Sequence, residues 1–330
     1  MSKIFHYSSL QEEYTMYHTG YLFDPIFLAH DTGDVHPENY HRLEVLQKHV
    51  SSYPGYTSLL NIQPRRATPE QLAYAHAMTY IESIEEECRM GFHCIDNFDT
   101  MVCEKSYEVA LNAVGGILEM CDYIMGGEIK NGFCAIRPPG HHAESDGSSG
   151  FCLFNNIAIA ARYLQLKHGI GRIAIVDWDA HHGNGTQQIF EEDPSVFYVS
   201  LHQYPFFPGT GHEIENGSGL GRGYTMNIPM EANSKNRDYM SAFEEKIIPA
   251  LNQFQPEFIL VSSGFDAHAD DILSSLRLST DAFYAFTMML KKVACKYANG
   301  RLMAILEGGY YAQSMAESTV AVISALQSGP

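Results

Sequence analysis

The 330-residue chain carries 21 Lys and Arg against 39 Asp and Glu, a formal charge of −18, and 45% of it is hydrophobic. So acidic a balance argues against a nucleic-acid binder, which would normally show a basic face, and it is compatible with basic partners such as lysine-rich peptides or polyamines. The apolar share is enough to fill the core of one large α/β enzyme.

Seven cysteines (Cys88, Cys94, Cys103, Cys121, Cys134, Cys152 and Cys295) are odd in number and never spaced as C-x-x-C. That is a reduced, intracellular pattern and offers no thiolate zinc site. The start, Met1-Ser-Lys-Ile-Phe-His6, has no apolar signal region, and no run of 18 apolar residues occurs. A cytoplasmic chain that does not enter a membrane is the expectation.

Residues 1–36 are aromatic and polar, and Gly20, Pro25, Gly33 and Pro37 interrupt any long element around them. Helices are predicted over 38–50, with Leu43, Leu46 and Val50 on one side, and over 79–90, where Glu85-Glu86-Glu87 reads as a solvated face. A longer helix is predicted over 104–125, and its Gly115-Gly116 implies close packing against a neighbour. A strand from Phe133 to Ile136 leads into the loop Arg137-Pro-Pro-Gly-His-His-Ala143. Then follows a helix over 153–168, closed by Gly169. The apolar run Ile173, Ile175, Val176 is a buried strand, 185–192 a helix, and Val196–Leu201 a strand. Gly209–Gly223 reads as plain loop: its Gly217-x-Gly219-x-Gly221 precedes a strand instead of joining strand to helix. The remainder is helix 236–253, strand Phe258–Ser263, helix 280–298, strand Leu302–Leu306 and a helix from about 314 to 327. Alternating strands and helices without a low-complexity linker predict one α/β domain with a mostly parallel sheet flanked by helices.

The chemistry gathers where these strands end. Asp177, Asp179 and His181 are spaced by two, so in an extended chain they share one face at the carboxyl end of a strand. Open α/β sheets build their sites at that edge. Asp266 and Tyr310 end two further strands, and the loop after another supplies His141-His142. Crowding carboxylates on a buried edge is costly unless a cation sits between them. Any one of these residues could be a helix cap or a satisfied core group. Three strand ends that all finish in ligand types favour a metal instead. Asp179, His181 and Asp266 would leave an open coordination position, as catalytic zinc does, and Fe(II) or Co(II) also suit such a mixed set. One imidazole of the pair could bond Asp177 and the other Asn184, splitting their pKa values into a charged helper and a proton-transferring base. Tyr310, after Gly308-Gly309, could donate to a developing oxyanion.

Six blocks together resemble one family: Arg137-Pro-Pro-Gly-His-His-Ala143, Gly150-Phe-Cys-Leu-Phe-Asn-Asn156, Asp177-Trp-Asp-Ala-His-His-Gly-Asn-Gly-Thr186, Phe206-Phe-Pro-Gly-Thr-Gly211, Ser263-Gly-Phe-Asp266 and Glu307-Gly-Gly-Tyr310. They look like the zinc-dependent histone deacetylases, whose superfamily also holds acetylpolyamine amidohydrolases and acetoin-utilisation proteins. The blocks run in family order from His36-Pro-Glu38 to Tyr310. The resemblance implies a single catalytic domain over 1–330 with the arginase/deacetylase fold, hydrolysing the acyl amide of acetyl-lysine.

It implies Zn²⁺ on Asp179, His181 and Asp266, and His142 as the general base and then acid, oriented by Asn184. His141, paired with Asp177, would stay charged, and Tyr310 would hold the oxyanion. Phe151 and Phe207 would wall a channel for the lysine stem, with Gly150 accepting from the amide N–H and Gly309 and Leu273 lining the substrate site. Asp99 or Thr100 would bind the substrate backbone, and Arg42, preceded by Tyr40-His41 where the family usually has Pro-Glu, would help acetate leave. K⁺ sites would use Asp177, Asp179, His181, Ser200 and Leu201, and, for a second ion, Phe190, Asp193, Val196 and Tyr224, mainly through backbone. Asn184 resembles class II, where class I has a second Asp. Leu273 stands where polyamine-specific relatives carry a glutamate and so favours acyl-lysine, although bacterial polyamine deacetylases obtain an acidic site elsewhere, partly by dimerising.

The expected partner is therefore an acetylated lysine peptide or protein, or an acetylated small amine, and an oligomer is compatible with the sequence. The rivals are a small-molecule amidohydrolase, a non-catalytic acyl-lysine reader, and an arginase-like ureohydrolase, which would need more Asp and His ligands than these strand ends supply.

Overall fold

A computed structural model describes residues 19–96 and 99–329; the N-terminal stretch 1–18 read above as aromatic and polar lies outside the described residues. Eight strands form one sheet: β1 (Thr19–Leu22), β2 (Leu59–Ile62), β3 (Asn131–Cys134), β4 (Ile173–Asp177), β5 (Val196–Gln203), β6 (Thr225–Met230), β7 (Phe258–Ser263) and β8 (Leu302–Leu306). Their spatial order is β2-β1-β3-β8-β7-β4-β5-β6, and every pairing is parallel. Parallel strands covered by helices on both faces read as unbroken apolar runs. Ile173–Val176 and Phe258–Val261 accordingly lose all contact with solvent. β1 and β2, four residues each, are too short to show a period of their own.

The helices follow their apolar periodicity with small shifts, at His41–Ser52, Met78–Arg89, Ser106–Gly126, Asn156–His168, Asn184–Phe190, Thr280–Tyr297 and Ala312–Gln327. The helix expected over 236–253 is instead Asn236–Ala242, a π turn Phe243–Ile247 and Ile248–Phe254. Pro249 cannot donate to the carbonyl four residues back, which breaks the regular α ladder at that join. The helix expected from 153 begins at Asn156 because Asn155 caps it, its side chain accepting from the Ala158 N–H.

Helix Ser106–Gly126 is long and apolar enough to cross a membrane, but 67% of its apolar window is buried inside the protein. Its Gly115 and Gly116 face that packing. A Cβ on Gly115 would lie 1.8 Å from the Arg65 carbonyl oxygen, and one on Gly116 would lie 2.7 Å from Leu22. The seven cysteines are all free.

Candidate functional site

Four strands adjacent in space, β3, β8, β7 and β4, send their carboxyl ends to one place. Asp179 and His181 follow β4, Asp266 follows β7, Tyr310 follows β8, and His141-His142 follow β3. One ligand atom from each of Asp179, His181 and Asp266 lies within 4.8 Å of the others, and all three residues are buried.

Backbone N–H groups aim the two carboxylates. Gly308 N–H donates to Asp179 Oδ2 at 2.9 Å, His181 N–H to Asp179 Oδ1 at 2.9 Å, and Ala180 N–H to Asp266 Oδ1 at 2.7 Å. Their crowding has an electrostatic cost: burial and the Asp179 charge push Asp266 up to about 7. A cation between the carboxylates removes that cost, so the donor set, one nitrogen and two carboxylates, fits a divalent metal. Glycines keep the cradle clear. A Cβ on Gly264 would sit 2.0 Å from Asp179 Oδ2, and one on Gly308 would sit 2.6 Å from it and 2.7 Å from Asp266 Oδ2.

The two imidazoles beside the triad have opposite surroundings, and their rings lie 4.0 Å apart. His141 Nδ1 is 3.0 Å from Asp177 Oδ2. Burial alone would lower its pKa, but Asp177 and Asp179 raise it to about 10. His142 Nδ1 is 2.8 Å from Asn184 Oδ1, and the Asn184 amide N–H₂ donates to Glu144 Oε1 at 2.8 Å. That second bond fixes which way the amide faces, so its oxygen accepts from Nδ1–H and leaves His142 Nε2 with the free lone pair. Burial, then His141 and His181, push His142 well below the ordinary histidine range. Tyr310 is raised well above 10 by burial and by Asp266 and Asp179, so its phenol is a proton donor.

Residues 36–326 match the histone deacetylase domain. The chain belongs to the histone deacetylase family. It is 39% identical over 294 residues to a probable deacetylase of Archaeoglobus fulgidus, covering 88% of this chain and 81% of that one. It is 36% identical over 283 residues to the polyamine deacetylase HDAC10 of Homo sapiens, covering 82% of this chain and 42% of that one. The crystal structure of the HDA15 HD domain superposes with a TM-score of 0.89 at 36% identity, covering 94% of this chain and 88% of that one. The chain is thus a deacetylase, an amidohydrolase with an α/β fold around a parallel sheet.

The two phenylalanines expected to wall a channel stand beside the site, Phe207 by His142 and His181 and Phe151 by Tyr310. The Phe207 ring is 5.2 Å from that of His142, and Phe206 stacks on His181 at 5.2 Å. Phe151 stands edge-on to Tyr310 at 5.9 Å and to His36 at 4.7 Å. Phe151 has φ +68, rare for a bulky residue and the kind of strain that marks functional loops. Gly150 precedes it at φ +54, its carbonyl taking the Cys152 thiol at 3.3 Å. Leu273 is half-buried on the turn after Asp266, and Gly309 adopts φ +121.

One expectation needs correction. Thr100 is fully buried and gives its hydroxyl to Asp99, which removes it from contact with substrate. Asp99 Oδ2 accepts from the Gly150 N–H at 3.0 Å, which ties it to the residue before Phe151. Arg42, expected to help acetate leave, donates through its three nitrogens to Gly309 O, Glu38 Oε1 and Glu307 O, and its guanidinium lies 5.1 Å from the Tyr310 ring centre.

The residues proposed for monovalent cations also cluster. Asp177 pairs with Ser200 in the β4–β5 register, with Leu201 next along β5. Asp193 N–H donates to Phe190 O, Val196 N–H to Asp193 O and Tyr198 N–H to Tyr224 O, while the Asp193 carboxylate pairs with Arg162.

Glu307, to which no motif assigns a role, bridges two strand ends. Its Oε2 accepts from the N–H groups of Gly140 at 2.7 Å and His141 at 3.2 Å, joining the β8 end to the histidine loop. Burial raises it to about 7. The only sequence signal was its position, an acid directly after a wholly apolar strand.

Proposed function

We propose that this chain is a zinc-dependent lysine deacetylase of class II type that removes acetyl groups from acetyl-lysine in peptides or proteins. The observation that carries this reading is the meeting of the Asp179–His181–Asp266 triad with His141, His142 and Tyr310 at one sheet edge. Zinc, held by those three residues, would supply a Lewis acid and an acidified water for attack on the amide carbonyl.

The protein residues do the rest. His142 Nε2, neutral and with a free lone pair, takes the proton from the attacking water and returns it to the leaving amine. His141, held charged by Asp177, stabilises the negative charge that develops, and Tyr310 donates its phenolic proton in a hydrogen bond to the carbonyl oxygen. Phe151 and Phe207 line the lysine stem. Potassium near Asp177, Asp179, His181, Ser200 and Leu201, and near Phe190, Asp193, Val196 and Tyr224, belongs to the same proposal, as does one catalytic unit acting in the cytoplasm.

The loops flanking the site, 30–36, 143–150, 204–216 and 264–276, contain no Lys or Arg and several carboxylates. Such a mouth suits a cationic substrate. It also suits a second reading, hydrolysis of acetylated polyamines, which the similarity to a polyamine deacetylase favours. Leu273 in place of a carboxylate supports the peptide reading. The test is turnover by the zinc-loaded protein on an acetyl-lysine peptide beside N-acetylputrescine and N-acetylspermidine. A peptide preference supports the proposal, a polyamine preference replaces its substrate, and silence on all three refutes it.

A further inference from the structure

Tyr310 follows two glycines, and Gly309 adopts φ +121, so local preference does little to fix where the phenol points. Other side chains must hold its main chain. From one side Arg42 donates to the carbonyls of Glu307 and Gly309 at 2.7 and 2.6 Å. From the other side, the carboxylate of Asp271, itself 8% exposed, accepts from the N–H groups of Tyr310 at 2.6 Å and Tyr311 at 3.2 Å through Oδ2. Its second oxygen, Oδ1, accepts from the Leu273 N–H at 2.9 Å. A buried carboxylate is tolerable only when such donors replace its water. Here the donors come from two loops that adjoin the triad from different strands.

We propose that Asp271 is a positioning residue that fixes the Tyr310 phenol and ties it to the Leu273 turn, so that the substrate-facing turn and the carbonyl donor share one anchor. The proposal rests on the reading of Tyr310 as the hydrogen-bond donor to the substrate carbonyl. Asparagine at this position would keep one acceptor oxygen but turn an amide N–H₂ toward N–H donors, so it could serve only one of the two loops.

The experiment compares the zinc-loaded wild type with Asp271→Asn, Tyr310→Phe and the double variant on acetyl-lysine and trifluoroacetyl-lysine peptides. The trifluoromethyl group withdraws electrons and stabilises the oxyanion itself, so its hydrolysis depends less on a phenolic donor. The expected result is a loss of roughly 10- to 100-fold in kcat on the acetyl peptide, the scale of a misplaced reacting group. A much smaller loss is expected on the trifluoroacetyl peptide, and no further loss on the acetyl peptide when Asp271→Asn is added to Tyr310→Phe. An equal loss on both peptides, or the same loss in the Tyr310→Phe background, overturns the proposal.

Amide hydrogen exchange reads the clamp without turnover. Either residue 273 or residues 310 and 311 should exchange faster in Asp271→Asn while β4 and β8 keep their protection, and unchanged protection at all three overturns the clamp. Should Asp271→Asn fail to fold, Asp271→Glu, which displaces the same charge by one methylene, takes its place with the same expected pattern. A wild type inactive on both peptides refutes the acetyl-lysine peptide reading of the site, and the exchange measurement then decides the clamp alone.

Discussion

Gly264 offers a sharp test of the metal centre because its neighbour is Asp179 itself. A Cβ there would lie 2.0 Å from Asp179 Oδ2, 2.5 Å from its Cγ and 2.6 Å from its Cβ, where ordinary contact begins at 3.4 Å. Asp179 is fixed by backbone donors on both oxygens, so it cannot swing away as the tip of a flexible chain could. Gly264→Ala must therefore move the carboxylate or the turn by about an ångström, several times the roughly 0.2 Å tolerance of a metal–ligand distance. The expected outcome is a loss of zinc affinity of at least about 100-fold, the upper end of what disturbing a ligand's support costs. Gly147→Ala, whose Cβ would meet nothing within 4 Å, is the control.

The assay is zinc content after dialysis against a graded chelator series, together with the zinc-dependent shift of the unfolding midpoint. Zinc at 100 times its Kd contributes about 2.7 kcal/mol to the folded state, and Gly264→Ala should lose most of that increment. If Gly264→Ala retains wild-type zinc affinity and the full midpoint shift, Asp179 is not a ligand and the triad has been misread.

Three further outcomes follow from other parts of the chain. Burial, with Arg137 acting in the same direction, holds His30 at about 3, and burial holds His76 at about 4. Both pKa values lie below the unfolded value near 6.5, so the unfolded chain takes up protons that the native one refuses as pH falls. Their stabilisation is complete above pH 6.5 and declines toward pH 4 and below, by about 2 kcal/mol each between pH 7 and 5. A urea midpoint that stays constant over that interval would refute the burial of neutral imidazoles. Glu38→Gln leaves Arg137 and Arg42, 0% and 2% exposed, without their shared carboxylate, and should lose about 3–5 kcal/mol of unfolding free energy; a loss under 1 kcal/mol would show that the pair is replaceable. Leu273→Glu should raise kcat/KM on N-acetylspermidine a few-fold, on the scale of one partly exposed ion pair, and lower it on the peptide. An unchanged ratio would remove residue 273 from substrate selection.

What could be read from the sequence divides along physical lines. Long helices and central strands announce themselves because burial imposes a period of 3.6 or an unbroken apolar run, as in Ser106–Gly126 and Ile173–Asp177. The ligand spacing Asp177, Asp179, His181 was visible because an extended chain must place alternate residues on one face. β1 (Thr-Gly-Tyr-Leu) and β2 (Leu-Leu-Asn-Ile) were not legible because Gly20 and Asn61 break their short apolar runs, and the equally short β3 lies at Asn131–Cys134 instead of the expected 133–136. Glu307 and Asp271 were missed for a different reason. Each serves backbone N–H groups, of Gly140 and His141 in one case and of Tyr310, Tyr311 and Leu273 in the other, and a backbone donor has no letter in a sequence.

Motifs thus reveal the groups that could touch a substrate, while the groups that aim them emerge only when β3, β8, β7 and β4 lie side by side. That adjacency also explains why the aiming groups are acids. Four parallel strand ends present turns rich in unpaired N–H donors, and a carboxylate can satisfy two or three of them at once. The same acids bring negative charge to the pocket that holds Asp179 and Asp266, which deepens the need for a cation there and for the charged form of His141.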